Sequence, residues 1–305
     1  MISVIAVVGA TASGKSGFAV KLAKMLDGEV VSADSMQVYR CMDVGTAKVT
    51  TEEMQGIRHH MIDVLEPEDD CNVTRFVSMA EKCIEDISSR GKTPIICGGT
   101  GLYVDSLLKG AAFEDNSCDD SYKEYLASVA EEKGNEYLYS TLEKTDPAAA
   151  ASIHPNNVKR VIRALEFFHT TGKSITTQKE NTVNCKYDPF YIGMKKDREL
   201  LYQRIDKRVD LMIEDGLFAE VESLIKRGVD KKCNSMQGIG YREVVWYFNG
   251  KCTKDEAIRL IKRNSRRYAK RQLTWFGAND SIHWIDPGND DELSNILKQR
   301  KVTYK

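Results

Sequence analysis

The chain has almost no excess of either charge: 44 Lys and Arg stand against 45 Asp and Glu in 305 residues, a formal net charge of −1. That excludes a surface basic all over, so any contact with nucleic acid must come from locally clustered basic residues. It also lacks long apolar runs, and no window approaches the roughly 20 residues that cross a bilayer as a helix. The first apolar stretch, residues 2–8, is short and has no basic segment before it, so it is expected to be a strand and not a secretory signal. The eight cysteines, at 41, 71, 83, 97, 118, 185, 233 and 252, form no C-x-x-C pair. They read as reduced packing residues, not as zinc ligands or a disulfide framework. A cytoplasmic protein with no membrane partner is the expectation. No N-K-x-D sequence for reading guanine occurs, which counts against a GTP-binding switch.

What is present begins with Gly9-Ala10-Thr11-Ala12-Ser13-Gly14-Lys15-Ser16, which meets the phosphate-binding pattern G-x-x-x-x-G-K-S/T at every fixed position. The glycines let the backbone fold around an anion, the helix N-terminus points at it, Lys15 neutralises it, and the Ser16 hydroxyl can ligate Mg²⁺. The context fits, with a continuous apolar run before the loop and a helical pattern carrying Phe18, Val20, Leu22, Ala23 and Leu26 after it. At 42% hydrophobic, the chain has material for more than one average domain.

A second short strand, residues 28–33, delivers Asp34-Ser35-Met36-Gln37-Val38-Tyr39 to the sheet edge where open α/β folds bind ligands. Asp34 is there either as a general base or as the cap of a short helix starting at Ser35. Residues 40–55 read as a loop and residues 59–64 as a third strand, on which the adjacent His59 and His60 point to opposite faces and do not form a metal pair. A helix starts at Asn72 or Thr74, and the next buried strand, 93–97, ends in Gly98-Gly99-Thr100-Gly101-Leu102-Tyr103. This second glycine turn is expected to line the same crevice as the first.

Residues 114–186 change character: they are helical by pattern, with no apolar strand run until their end. The expected architecture is therefore α/β, a P-loop-type parallel sheet core flanked by helices (1–113 and 187–305) with an inserted all-helical subdomain (114–186). Within the insertion, Lys159 and Arg163 lie four residues apart on one helix face with Arg160 beside them, either as a solvated basic face or as phosphate contacts. Arg204 and Arg208 repeat that spacing, and either clamp a diphosphate or pair with neighbours such as Glu199 or Asp206. Residues 254–271 hold Arg259, Lys262, Arg263, Arg266, Arg267, Lys270 and Arg271 against only Asp255 and Glu256, and run into Trp275-Phe276. Such a basic stripe beside aromatics suits a phosphate backbone and stacking bases.

These blocks, together with His154-Pro155-Asn156-Asn157, Gly240-Tyr241-Arg242-Glu243 and the run from Ala269 to Phe276, resemble the tRNA dimethylallyltransferase family, in order from residue 9 to residue 276. The resemblance implies transfer of a dimethylallyl group from dimethylallyl diphosphate, with Mg²⁺, to the exocyclic amine of the adenosine just 3′ of the anticodon. It implies Asp34 as general base, Thr100 as a tRNA contact near the reacting amine, and Arg208 with Arg204 as diphosphate ligands beside the phosphate loop. It further implies an anticodon loop held by Asp34, Ser35, Met36, Gln37, Thr100, Lys159, Arg160, Arg163, Arg263 and Arg267. Lys159 stands where members often carry Arg or Gln, and the zinc finger of eukaryotic members is missing, so the expectation is a bacterial-type, monomeric enzyme. A metabolite or nucleotide kinase would use the same loop, with Asp34 as base and Arg204 and Arg208 as a lid. It offers no reason for the basic helix.

Overall fold

The computed structural model describes residues 1–110, 120–179, 186–288 and 290–299. Six strands, β1 (Ile2–Val8), β2 (Gly28–Ser32), β3 (His59–His60), β4 (Thr93–Gly98), β5 (Tyr187–Met194) and β6 (Ile282–Ile285), form one sheet in the order β3-β2-β4-β1-β5-β6. Every pairing is parallel. Alternation along β1 divides the core: Val4, Ala6 and Val8 face one buried cluster, with the helices Val73–Ser89 and Gly101–Lys109, and Ile5 and Val7 face the other, with the helix Lys15–Met25. Burial on both faces explains why β1 is a continuous apolar run and does not alternate with polar residues.

Local chemistry sets the ends. Asn72 caps the helix Val73–Ser89 by accepting the Arg75 N–H at 2.8 Å, a bond worth about 1 kcal/mol. Asp197 does the same for the helix Arg198–Glu214, accepting from Glu199 and Leu200. The strand expected over 59–64 is only two residues long, because Met61 and Asp63 take positive φ (63° and 54°) and turn the chain out of the ladder. The loop expected over 40–55 contains a helical turn, Thr51–Met54, closed by a Thr50/Glu53 capping box. His60 bonds the buried Glu29 at 2.7 Å, and the Arg90 guanidinium on that carboxylate, helped by His60, pulls its pKa down to about 2.

The chain divides into two compact units, Met1–Leu108 with Lys186–Lys305, and Lys109–Cys185. The described part of the second unit is helical, with its own core of Leu126, Leu138, Leu142, Val161 and Leu165. The boundary expected at residue 114, together with Cys118 and Cys185, lies outside the described residues. Among the described residues no helix is long and apolar enough to cross a membrane.

Candidate functional site

Sheet register brings the site together. Val8 pairs with both Gly98 of β4 and Gly193 of β5, and Ser32 of β2 pairs with Cys97, so the turns after β1, β2 and β4 leave one carboxyl edge side by side. β4 and β2 come so close there that a Cβ on Gly98 would lie 2.2 Å from the Ala33 carbonyl oxygen.

The phosphate loop takes the backbone its glycines permit. Gly14 has φ 95° with open space around it, so the left-handed conformation, not crowding, is what calls for glycine. Thr11, Ala12, Gly14, Lys15 and Ser16 line a cavity of about 410 Å³, while Gly9, Ala10 and Ser13 are buried beneath it. Lys15 donates to the Ala10 carbonyl at 3.2 Å, and burial lowers its pKa. Ser16 stands exposed at the helix start within that lining. Among the described residues no cluster of three acidic, His or Cys side chains could hold a metal by itself. The Ser16 hydroxyl is a single protein oxygen in that lining, a donor that suits an ion such as Mg²⁺, which takes one or two protein oxygens and completes its shell with water and substrate phosphates.

A second cavity, about 390 Å³, meets the first. Thr11, Asp34, Arg208 and Tyr268 line both. No helix begins at Ser35; Asp34 closes a turn instead, its Oδ1 accepting the Met36 N–H at 2.9 Å and the Gln37 N–H at 3.4 Å. One carboxylate thus holds the turn and borders both cavities. Ser35 and Met36 line the second cavity, and the Ser35 N–H donates to Thr100 Oγ1 at 3.3 Å. Gln37 lines the first, its amide donating to the carbonyls of Thr46 and Ala47.

Arg208 donates from Nη1 to Thr11 Oγ1 at 3.0 Å and from Nη2 to the Thr46 carbonyl at 3.1 Å, and desolvation lowers its pKa. Arg204 is exposed and lines the first cavity one turn away. Asp206 is not their partner, because it is taken by Arg266 at 2.6 Å.

The basic helix runs Lys254–Gly277 and shows two kinds of cation. Lys262 pairs with Asp210, Arg266 with Asp206 and Arg259 with Glu256. Arg263, Arg267, Lys270 and Arg271 form no ion pair among the described residues. The aromatic pair at its end divides as well. Phe276 is 2% exposed and packs in the core, so stacking on bases is not open to it, whereas Trp275 is 44% exposed. The Trp275 ring lies where a Cβ on Gly101 would go, and its Nε1 donates to Asp105 at 2.9 Å. The second glycine turn lines the first cavity through Gly98 and also admits a helix: Gly99 makes way for Gln272 and Gly101 for Trp275.

In the second unit Lys159 and Arg160 are exposed, and Arg163 lies 3.7 Å from Glu166. Three residues of the first unit were missed by sequence reasoning: Thr46, Tyr268 and Gln272. The signal for the last two is polar side chains on a buried stripe, since Ile261, Ser265, Tyr268, Gln272 and Phe276 recur at helical spacing. Burial first, and the Asp34 carboxylate second, raise the Tyr268 phenol's pKa.

The family model described as IPP transferase matches residues 37–279, and one described as isopentenyl transferase matches residues 2–69. The chain belongs to the IPP transferase family. It is 50% identical over 296 residues to the tRNA dimethylallyltransferase of Bacillus mycoides, covering 97% of this chain and 93% of that one. To the enzyme of the same name from Acetivibrio thermocellus it is 48% identical over 303 residues, 99% of this chain and 97% of the other. Among solved structures it is similar to the full-length tRNA isopentenylpyrophosphate transferase of Bacillus halodurans, with TM-score 0.72 and 44% identity over 98% of this chain and 94% of that one. It is also similar to a eukaryotic dimethylallyltransferase acting on tRNA, with TM-score 0.79 and 30% identity over 99% of this chain and 78% of the other. This member of the IPP transferase family has the parallel α/β core of those structures.

Proposed function

We propose that the protein transfers a dimethylallyl group from dimethylallyl diphosphate to the N6 amine of the adenosine immediately 3′ of the anticodon in tRNA, releasing diphosphate. The observation that carries this reading is the meeting of two cavities at Thr11, Asp34, Arg208 and Tyr268, one floored by a phosphate loop and the other not. Diphosphate fits the first, against the loop N–H groups, Lys15, Arg208 and Arg204. The adenine fits the second, beside Asp34, Ser35 and Met36 and near Thr100; an anticodon loop can turn a base out of its stack more cheaply than a duplex can.

In the reaction the amine nitrogen bonds to the allylic carbon as that carbon's bond to oxygen breaks. Negative charge collects on the departing diphosphate, so Lys15 and Arg208, already held in place, stabilise the transition state more than the ground state. The amine's proton passes to Asp34, which offsets the weak nucleophilicity of a nitrogen whose lone pair is delocalised into the ring. The Ser16 hydroxyl would hold Mg²⁺, which would add positive charge on the side of the leaving group.

Arg263 and Arg267 on the basic helix meet phosphates of the tRNA, and Lys159, Arg160 and Arg163 give the helical unit cations of its own for RNA. Gln37, on the donor side, shapes the first cavity. On this reading the enzyme works as a monomer in the cytoplasm, where tRNA is found. Incubation with Mg²⁺, labelled dimethylallyl diphosphate and unmodified tRNA, without ATP, tests the reading. Label on the adenosine 3′ of the anticodon is the expected result; transfer that requires ATP, or none, would overturn it.

A further inference from the structure

Gln272 is 5% exposed on a helix that is otherwise rich in solvent-facing cations. Both ends of its amide are used. Its Oε1 accepts the Thr11 N–H at 2.8 Å, and its Nε2 donates to the Gly99 carbonyl at 2.9 Å. The amide therefore bridges the phosphate loop after β1 and the glycine turn after β4. Thr11 is held from a second side, because its Oγ1 accepts from Arg208. Gly99 has no alternative residue at this distance: a Cβ there would stand 2.1 Å from Gln272 Nε2.

We propose that Gln272 is a positioning residue for the allyl donor, fixing Thr11 and through it the phosphate loop and the Arg208 guanidinium against the diphosphate. This rests on the reading of the first cavity as the diphosphate site. The role is distinct from RNA binding, although the residue sits on the basic helix, since its side chain points into the protein and its partners are loop backbone. Without it, the Thr11 N–H loses its acceptor in a part-buried contact, and the threonine is left with the arginine alone. Loss of one such hydrogen bond, together with the freedom it returns to the loop, is expected to weaken an interaction that depends on the loop's geometry by about tenfold.

The test uses the full chain, with inorganic pyrophosphate and dimethylallyl diphosphate as probes of one cavity and unmodified tRNA as the probe of the other. Gln272→Ala removes the bridge. Gly99→Ala leaves the glutamine in the chain but evicts its amide, so it keeps the test alive if the first variant fails to fold. Each is expected to weaken pyrophosphate and donor binding by about tenfold while tRNA affinity stays within about twofold and kcat at saturating donor changes less than KM. The double variant is expected to be no worse than either single, because both break one bridge. Donor affinity unchanged in a folded variant, equal losses for donor and tRNA, or additive losses in the double would overturn the assignment. If the wild-type chain itself binds neither pyrophosphate nor donor, the diphosphate reading of the cavity fails, and this inference falls with it.

Discussion

Lys15 and Arg208 sit half-buried in the first cavity with their hydrogen bonds already made, to Ala10, Thr11 and Thr46, whereas Arg267, Lys270 and Arg271 stand exposed on the basic helix with no acidic partner among the described residues. Burial lowers the pKa of both Lys15 and Arg208. The difference teaches a division of labour. A recessed cation is held at one geometry and is screened little by salt, so it suits a small anion whose charge grows during reaction. An exposed cation is placed loosely and screened within about 10 Å at ordinary ionic strength, so it suits a long phosphate backbone. The helix repeats the contrast along its own length: Lys262 and Arg266 are committed to Asp210 and Asp206, and Arg263 and Arg267, each one residue further along the chain, are not.

The largest effect is expected where the two regions meet. Asp34→Asn should lower the single-turnover transfer rate by about 10²–10⁴-fold while donor binding is kept, because only the proton acceptor is lost. A variant retaining more than about half of the wild-type rate would assign Asp34 to closing its turn and nothing more. Next in size, Arg208→Ala should weaken the apparent donor affinity by about tenfold or more and leave tRNA affinity nearly intact. Equal losses for both substrates would erase the distinction between the regions. The smallest effect belongs to Arg266→Ala. Its ion pair with Asp206 is about a third exposed on each side, so thermal stability should fall by less than about 1 kcal/mol and the salt dependence of RNA binding should not move.

Much of the first cavity's lining was legible in the sequence because its determinants are local. Eight consecutive residues specify the phosphate loop, and strand and helix periodicity on either side of it place that loop at a sheet edge. Asp34 follows from the next strand by the same rule. What was not legible depends on contacts far apart in the chain: the Thr11–Gln272 bond spans 261 residues and the Trp275–Asp105 bond 170. The turn after β4 was expected to line the crevice of the first, and Gly98 does so; that Gly99 and Gly101 also make room for a helix far along the chain was not legible. Phe276 looked like a stacking platform because sequence reveals an aromatic but not which way the end of its helix faces. The third strand was overread because residue types over 59–64 do not reveal the positive φ of Met61 and Asp63.

The division of labour is tested most directly by measuring tRNA and donor affinities of one variant, Arg263→Ala with Arg267→Ala, over four or five salt concentrations. Each phosphate contact contributes about 0.7–0.9 to the slope of log affinity against log salt. The double variant should bind tRNA more weakly at low salt, with a slope reduced by about one to two, and should bind dimethylallyl diphosphate as the wild type does. A folded double variant whose slope is unchanged would contradict the account and move the RNA contacts to other cations, first of all Lys159, Arg160 and Arg163.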